Sequence, residues 1–165
     1  MRFLREEIVF QEVPNETSLL FHITNCPHNC NNCHARSINK ADVGQKLTDQ
    51  LFTDIILKYR NLVTCILFWG GEWEEDQLFS KLKIAQDHYF KTCLYSGQIT
   101  ISEQLRSRLN YVKLGPYIPH LGGLESSKTN QVFINLDTGE RLNHYFQTTQ
   151  QTIKIKEEFY DYLNY

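Results

Sequence analysis

The strongest constraint on the fold is a repeated order of strand and helix along the middle of the chain. Apolar, strand-like stretches at residues 18–24, 62–69, 89–95 and 111–114 alternate with segments of helical periodicity. The predicted helices start at the N-caps Thr48 and Ser102 and at Glu74, and end near Tyr59, Leu109 and Asp87. This order favours βαβ units, so the sequence predicts an α/β fold with a mostly parallel sheet.

Each predicted strand ends in a turn. The first is followed by a cysteine-rich loop, and the later ones by Gly70-Gly71-Glu72, Ser96-Gly97 and Gly115-Pro116. Binding sites in parallel α/β sheets gather beyond the carboxyl ends of the strands. We therefore expect these four turns to meet at one edge of the sheet and to form the functional site.

Length and charge narrow the class of protein. A chain of 165 residues favours one domain over residues 1–165, with a core of about residues 15–117 and a C-terminal loop, hairpin and tail over residues 118–165. A net charge of −2 leaves no basic excess for phosphates, so a general nucleic-acid binder is not expected. Early charges and short apolar runs argue against a signal peptide or membrane span, which predicts a cytoplasmic protein.

The pattern changes after Tyr117. Residues 131–136 and 141–146 are joined by Asp137-Thr138-Gly139-Glu140, which predicts a β-hairpin. Residues 151–165 have apolar spacing that suits either an amphipathic helix or a strand.

Three of the five cysteines lie in one short loop, Cys26-Pro-His-Asn-Cys30-Asn-Asn-Cys33, which His34 follows directly. In a reducing compartment such clusters bind metal more often than they form disulfides. Electron-carrying ferredoxins close their clusters with four thiolates, whereas three leave one iron of a cubane open. The spacing therefore predicts a 4Fe–4S centre that binds a substrate at its open iron.

Other interpretations of the cysteines stay open. A zinc site completed by His28 or His34 would also supply four ligands. It would not explain the Gly70-Gly71-Glu72 turn at the end of the next strand. Cys65 and Cys93 lie in apolar strands, where cysteine is commonly a small buried hydrophobe.

The cysteine spacing resembles the cluster motif of the radical S-adenosylmethionine (SAM) superfamily. Gly70-Gly71-Glu72 resembles the Gly-Gly-Glu motif of the same superfamily, although Trp73 stands where proline is usual. The resemblance implies a partial (βα) barrel that carries a 4Fe–4S cluster on Cys26, Cys30 and Cys33. It also implies SAM contacts from these residues: Asn32, Cys33, His34, Gly70, Gly71, Glu72 and Ser96.

A narrower resemblance covers roughly residues 15–135. Residues 23–30 are similar to the cysteine loop of proteins that activate anaerobic ribonucleoside-triphosphate reductase. Residues 115–118, 121–126 and 129–131 resemble a C-terminal signature in one branch of those activases, whereas residues 35–38 lack their common proline and tryptophan.

This narrower resemblance implies a glycyl-radical-enzyme activase that abstracts a glycine Cα hydrogen from the large subunit of the reductase. It also implies an electron donor of the flavodoxin or ferredoxin type, and no catalytic side chain beyond the cluster and SAM. Two alternatives remain. One is a radical SAM enzyme for another glycyl-radical enzyme, a peptide or a small metabolite. The other is a non-catalytic zinc-binding adaptor.

Overall fold

The computed structural model describes residues 1–28 and 43–147. Within them, one seven-stranded sheet has the order β3-β1-β2-β4-β5-β6-β7. The strands are β1 (Arg2–Val9), β2 (Ser18–Ile23), β3 (Gln45–Lys46), β4 (Cys65–Trp69), β5 (Lys91–Tyr95), β6 (Tyr111–Leu114) and β7 (Val132–Asn135).

The centre of the sheet is parallel and its flanks are antiparallel. Strands β2, β4, β5 and β6 pair in parallel, whereas β1 pairs antiparallel with β2 and β3, and β7 with β6. The four predicted strands are therefore present as the parallel centre of a mixed α/β sheet. The partial barrel stays a prediction.

The predicted helices are confirmed with shorter bounds. They are α1 (Asp49–Lys58), α2 (Glu75–Asp87) and α3 (Glu103–Arg106). The predicted N-caps accept hydrogen bonds of 3.2 Å from backbone amides, Thr48 Oγ1 from Leu51 and Ser102 Oγ from Leu105. Such caps satisfy amides that the first helical turn leaves without a partner.

The face of the sheet that meets the helices packs around four phenylalanines. The ring centroid of Phe21 lies 5.7 Å from that of Phe3, 5.2 Å from that of Phe52 and 5.6 Å from that of Phe68. All four side chains are fully buried, each contributing on the order of 2–3 kcal/mol of hydrophobic free energy. This cluster packs α1 against the sheet through Phe52.

The opposite face has its own apolar cluster. It contains Leu20, Leu67, Phe133 and the predicted buried cysteines Cys65 and Cys93. Burial raises the pKa of both thiols, so they stay protonated and unreactive at neutral pH. The prediction that these two cysteines act as small hydrophobes is confirmed.

Sequence reasoning missed strand β1. Residues 2–9 carry charged side chains that hide the alternation, and the strand is recognised only through its pairing with β2. Within residues 1–28 and 43–147, no helix has both the length and the apolar character needed to cross a membrane.

The predicted second hairpin strand at residues 141–146 is wrong. This segment makes one bridge, from Arg141 to Ile134, and residues 143–147 are helical. The Asn143 side chain accepts from the Phe133 amide and donates to the Gln131 carbonyl, both at 2.9 Å. It thereby occupies backbone groups that a partner strand would have used. The predicted tail at residues 151–165 lies outside the described residues.

Candidate functional site

The carboxyl ends of the four parallel strands are level with one another. His22 pairs in register with Trp69, Trp69 with Tyr95, and Tyr95 with Lys113. The backbone amide of Gly70 donates to Tyr95 O and that of Ser96 to Lys113 O, both at 2.9 Å. The turns that follow these strands therefore start at one edge of the sheet.

Gly70 and Gly71 both have backbone conformations that favour glycine, with φ of +84° and +111°. A Cβ atom on Gly70 would lie 2.6 Å from Cη2 of Trp73, and one on Gly71 would lie 3.0 Å from Cε of Met1. Gly70 is therefore restricted by both its φ and the Trp73 ring, and Gly71 chiefly by its φ. The turn places its backbone against Trp73 on one side and the core on the other.

The Glu72 carboxylate is nearly inaccessible, with its side chain 2% exposed. Its Oε1 atom accepts a hydrogen bond of 2.6 Å from Ser96 Oγ, and Ser96 Oγ accepts one of 2.9 Å from the Gln98 amide. Two residues that the sequence assigned to SAM are thus in direct contact, from two different strand ends.

Three buried side-chain atoms at this edge have no hydrogen-bond partner within residues 1–28 and 43–147. They are Glu72 Oε2, Trp73 Nε1 and Asn130 Oδ1. Asn130 belongs to the same edge because its Nδ2 donates to Pro116 O at 2.9 Å. A buried polar atom without a partner is unfavourable, and a bound polar ligand or an ordered water commonly satisfies it.

The first residues of the cysteine loop reach this edge through His28. Its Nε2 atom lies 3.6 Å from Glu72 Oε1, and its ring meets the Trp73 ring edge-on, with centroids 6.4 Å apart. Its Cδ2 atom lies 3.9 Å from where a Cβ atom on Gly97 would stand. Sequence reasoning considered His28 only as a zinc ligand and missed these neighbours, because spacing alone does not give the direction of a loop.

Only the start of the cysteine loop is described. Cys26 is half-buried and lies three residues after the end of β2, whereas Cys30, Asn32, Cys33 and His34 lie outside the described residues. In the described ranges, no three His, Cys, Asp or Glu side chains form a group suited to a metal ion. The predicted ligand set and the predicted adenosine contacts therefore stay predictions.

The other face of the sheet carries an aromatic row at the same level. The Trp69 ring lies 5.4 Å from the His22 ring and 6.3 Å from the Tyr95 ring, and Lys113 Nζ lies 6.0 Å from the Tyr95 ring centroid. The His22 ring is also hydrogen-bonded to Glu7, and this bond lowers the pKa of the Glu7 carboxyl. The contacts among Trp69, His22 and Tyr95 are not predictable from the sequence, since they follow only from the strand register.

Comparison with known proteins identifies the class. The model of the 4Fe-4S single cluster domain family matches residues 17–112, more than half of the chain, and the chain belongs to this family. The matched segment runs from the start of β2 into β6 and includes all three loop cysteines. The predicted iron–sulfur protein with a 4Fe–4S cofactor is thereby confirmed. Searches of curated proteins and of solved structures give no match.

Proposed function

We propose that the protein is a radical SAM enzyme of the partial-barrel type. The observation that carries this proposal is the buried Glu72 carboxylate, which stands directly after two glycines and next to His28 of the cysteine loop. Its Oε2 atom has no partner in the described part of the chain. An ionised carboxylate only accepts hydrogen bonds, so this atom suits the ammonium group of SAM.

Cys26, Cys30 and Cys33 are proposed as the cluster ligands. Support comes from the family match, which includes all three, and from the position of Cys26 just beyond the end of β2. With SAM bound, such a cluster supplies the electron that splits the sulfonium into methionine and a 5′-deoxyadenosyl radical. The protein's own contribution is to bind, orient and exclude water.

The residues around Glu72 would hold the methionine end of SAM. Gly70 and Gly71 allow the left-handed backbone of the turn, and Glu72, which follows them directly, would contact the methionine end. Ser96 holds Glu72 Oε1 and thereby orients the carboxylate toward the ligand. The adenosine is assigned to Asn32, Cys33 and His34.

The proposed substrate is a glycine in the large subunit of anaerobic ribonucleoside-triphosphate reductase. The reaction would be loss of a hydrogen atom from the glycine Cα, which would leave a glycyl radical on the reductase and 5′-deoxyadenosine as the product. An electron donor of the flavodoxin or ferredoxin type would reduce the cluster. The sequence signature at residues 115–131 supports this substrate. The first and last segments of this signature lie close together in the fold, since a Cβ atom on Gly115 would lie 3.1 Å from Asn130 O.

Anaerobic reconstitution tests the proposal. We expect about four irons per chain, SAM cleavage after reduction, and a doublet radical signal on the reductase in electron paramagnetic resonance. Cys30→Ala should abolish all three. Cys93→Ala, which removes a buried core cysteine instead, should leave iron content unchanged.

Two results would redirect the proposal. Formation of 5′-deoxyadenosine without a radical on the reductase would assign the enzyme to another substrate. A protein that takes up zinc but no iron under strictly anaerobic conditions would be an adaptor without catalysis.

A further inference from the structure

We propose that the indole N–H of Trp73 donates a hydrogen bond to the carboxylate of the amino-acid group of SAM. This inference rests on the proposed function and adds a specificity-determining residue to it. Trp73 follows the Gly-Gly-Glu turn directly.

The indole is held in place from two sides. Its benzo ring occupies the space that the missing Cβ of Gly70 leaves, since an added Cβ would lie 2.6 Å from Cη2. On the other side, the edge-on contact with His28 sets the angle between the rings at 84°. The orientation of the N–H group is therefore fixed by packing.

The polar atoms of two consecutive residues complement each other. Trp73 Nε1 is buried without a partner in the described ranges, and so is Glu72 Oε2. The indole N–H can only donate and an ionised carboxylate can only accept. Together they match a zwitterion, with its carboxylate at Trp73 and its ammonium at Glu72, and they distinguish its two charged groups.

This pairing predicts which ligands depend on Trp73. SAM and S-adenosylhomocysteine carry the amino-acid group, whereas 5′-methylthioadenosine retains the adenosine and lacks that group. Loss of the N–H should therefore weaken binding of the first two ligands and leave binding of the third unchanged.

The test is equilibrium binding of SAM and of 5′-methylthioadenosine to the reconstituted holoprotein. Trp73→Phe retains an aromatic ring and removes the N–H, so we expect SAM to bind roughly tenfold or more weakly. The affinity for 5′-methylthioadenosine should not change. Tyr89→Phe also removes a side-chain donor from an aromatic ring, but at a 91% exposed position after α2, and as the control it should bind both ligands as the wild type does.

Two results of the binding test would overturn the assignment. An unchanged affinity of Trp73→Phe for SAM would exclude the hydrogen bond. An equal loss for both ligands would assign Trp73 to packing alone.

A second measurement does not need the Trp73 variant to fold. In Trp69→Phe, Trp73 is the remaining tryptophan of the chain, and its ultraviolet resonance Raman spectrum reports hydrogen bonding at the indole N–H. Addition of SAM should shift that band toward the hydrogen-bonded position, whereas 5′-methylthioadenosine should not.

The two proposals fail in different ways. A holoprotein that binds and cleaves SAM without the Raman shift would overturn the Trp73 assignment and leave the proposed function standing. A wild-type holoprotein that binds no SAM would overturn both.

Discussion

Ser96 donates a hydrogen bond of 2.6 Å to Glu72 across the ends of two neighbouring parallel strands, and both side chains are buried. The bond fixes one carboxylate oxygen and leaves the other without a partner in the described part of the chain. A carboxylate held in this way has one direction in which to accept a ligand, which makes the pair sensitive to substitution.

Removal of the Ser96 hydroxyl should loosen Glu72. We expect Ser96→Ala to lower the free energy of unfolding by about 1–2 kcal/mol, because a buried charged acceptor loses its donor. SAM affinity should also fall severalfold. Urea unfolding and anaerobic calorimetry measure the two effects. Ser107→Ala removes an exposed hydroxyl that donates to Gln104 O at 2.8 Å, and it should change neither.

Neutralisation of Glu72 should weaken the binding of SAM. Glu72→Gln retains the shape of the side chain but removes its charge and one acceptor. We expect SAM affinity to fall roughly 10–100-fold, the value of a hydrogen bond to a charged group. Calorimetric titration of the holoprotein provides the measurement, with the exposed Glu140→Gln as control. Unchanged affinity in Glu72→Gln would refute the ammonium contact.

A methyl group at Gly70 should lower the free energy of unfolding more than a methyl group at a glycine of similar φ with open space around it. Gly70→Ala adds strain at φ +84° and a clash with the Trp73 ring. Gly139 has φ +75° and nothing within 4 Å of an added Cβ, so Gly139→Ala measures the strain alone. We expect a loss of about 1 kcal/mol at Gly139 and about 2–4 kcal/mol at Gly70, measured by urea unfolding.

At the opposite end of the sheet, the contacts of Glu16 should make the free energy of unfolding depend on pH. Glu16 Oε2 accepts from Thr64 Oγ1 at 2.7 Å, while Oε1 accepts from Tyr111 OH at 3.0 Å and from Lys91. Burial raises the pKa of Glu16, but these three donors outweigh it, so the pKa of the carboxyl lies below its usual range. A lowered pKa in the folded state gives stability that is present above the unfolded pKa, near 4.3, and lost as the pH falls through the folded value.

Glu16→Gln tests whether this stability is lost as the pH falls. Above about pH 5 the wild type should exceed the variant in free energy of unfolding by about 1–2 kcal/mol, and the difference should shrink at lower pH. Urea unfolding of both proteins from pH 3 to pH 7 measures it. A difference that stays constant over this range would show that ionised Glu16 does not contribute.

The sequence predicted the central strands and helices because their signals are local. Apolar runs mark β4 and β5, and Thr48 and Ser102 act as caps within one turn of chain. Strand β1 depends on its partner for recognition, and the helical turn at residues 143–147 depends on the bonds that Asn143 makes to Gln131 and Phe133. Those contacts are distant in sequence or specific to one side chain.

The candidate site also has features that the sequence predicts and features that it does not. The meeting of Glu72 and Ser96 at one edge is predictable because parallel strands bring their carboxyl ends together, whereas their assignment to SAM follows from the family resemblance. The positions of His28 and Trp73 around them depend on loop torsions and on the space beside Gly70, which no periodicity encodes. Sequence reasoning treated Trp73 only as a departure from a motif, whereas its position suggests a donor.

The amides of the strand-end turns form a relay of backbone bonds, from Gly70 to Tyr95, from Ser96 to Lys113 and from Gly115 to Gln98. Because each turn is bonded to its neighbour, we expect hydrogen exchange of the Gly70, Ser96 and Gly115 amides to be correlated. A ligand that orders one turn should slow exchange at the other two. An insertion in any one of the three turns should raise hydrogen exchange at the other two.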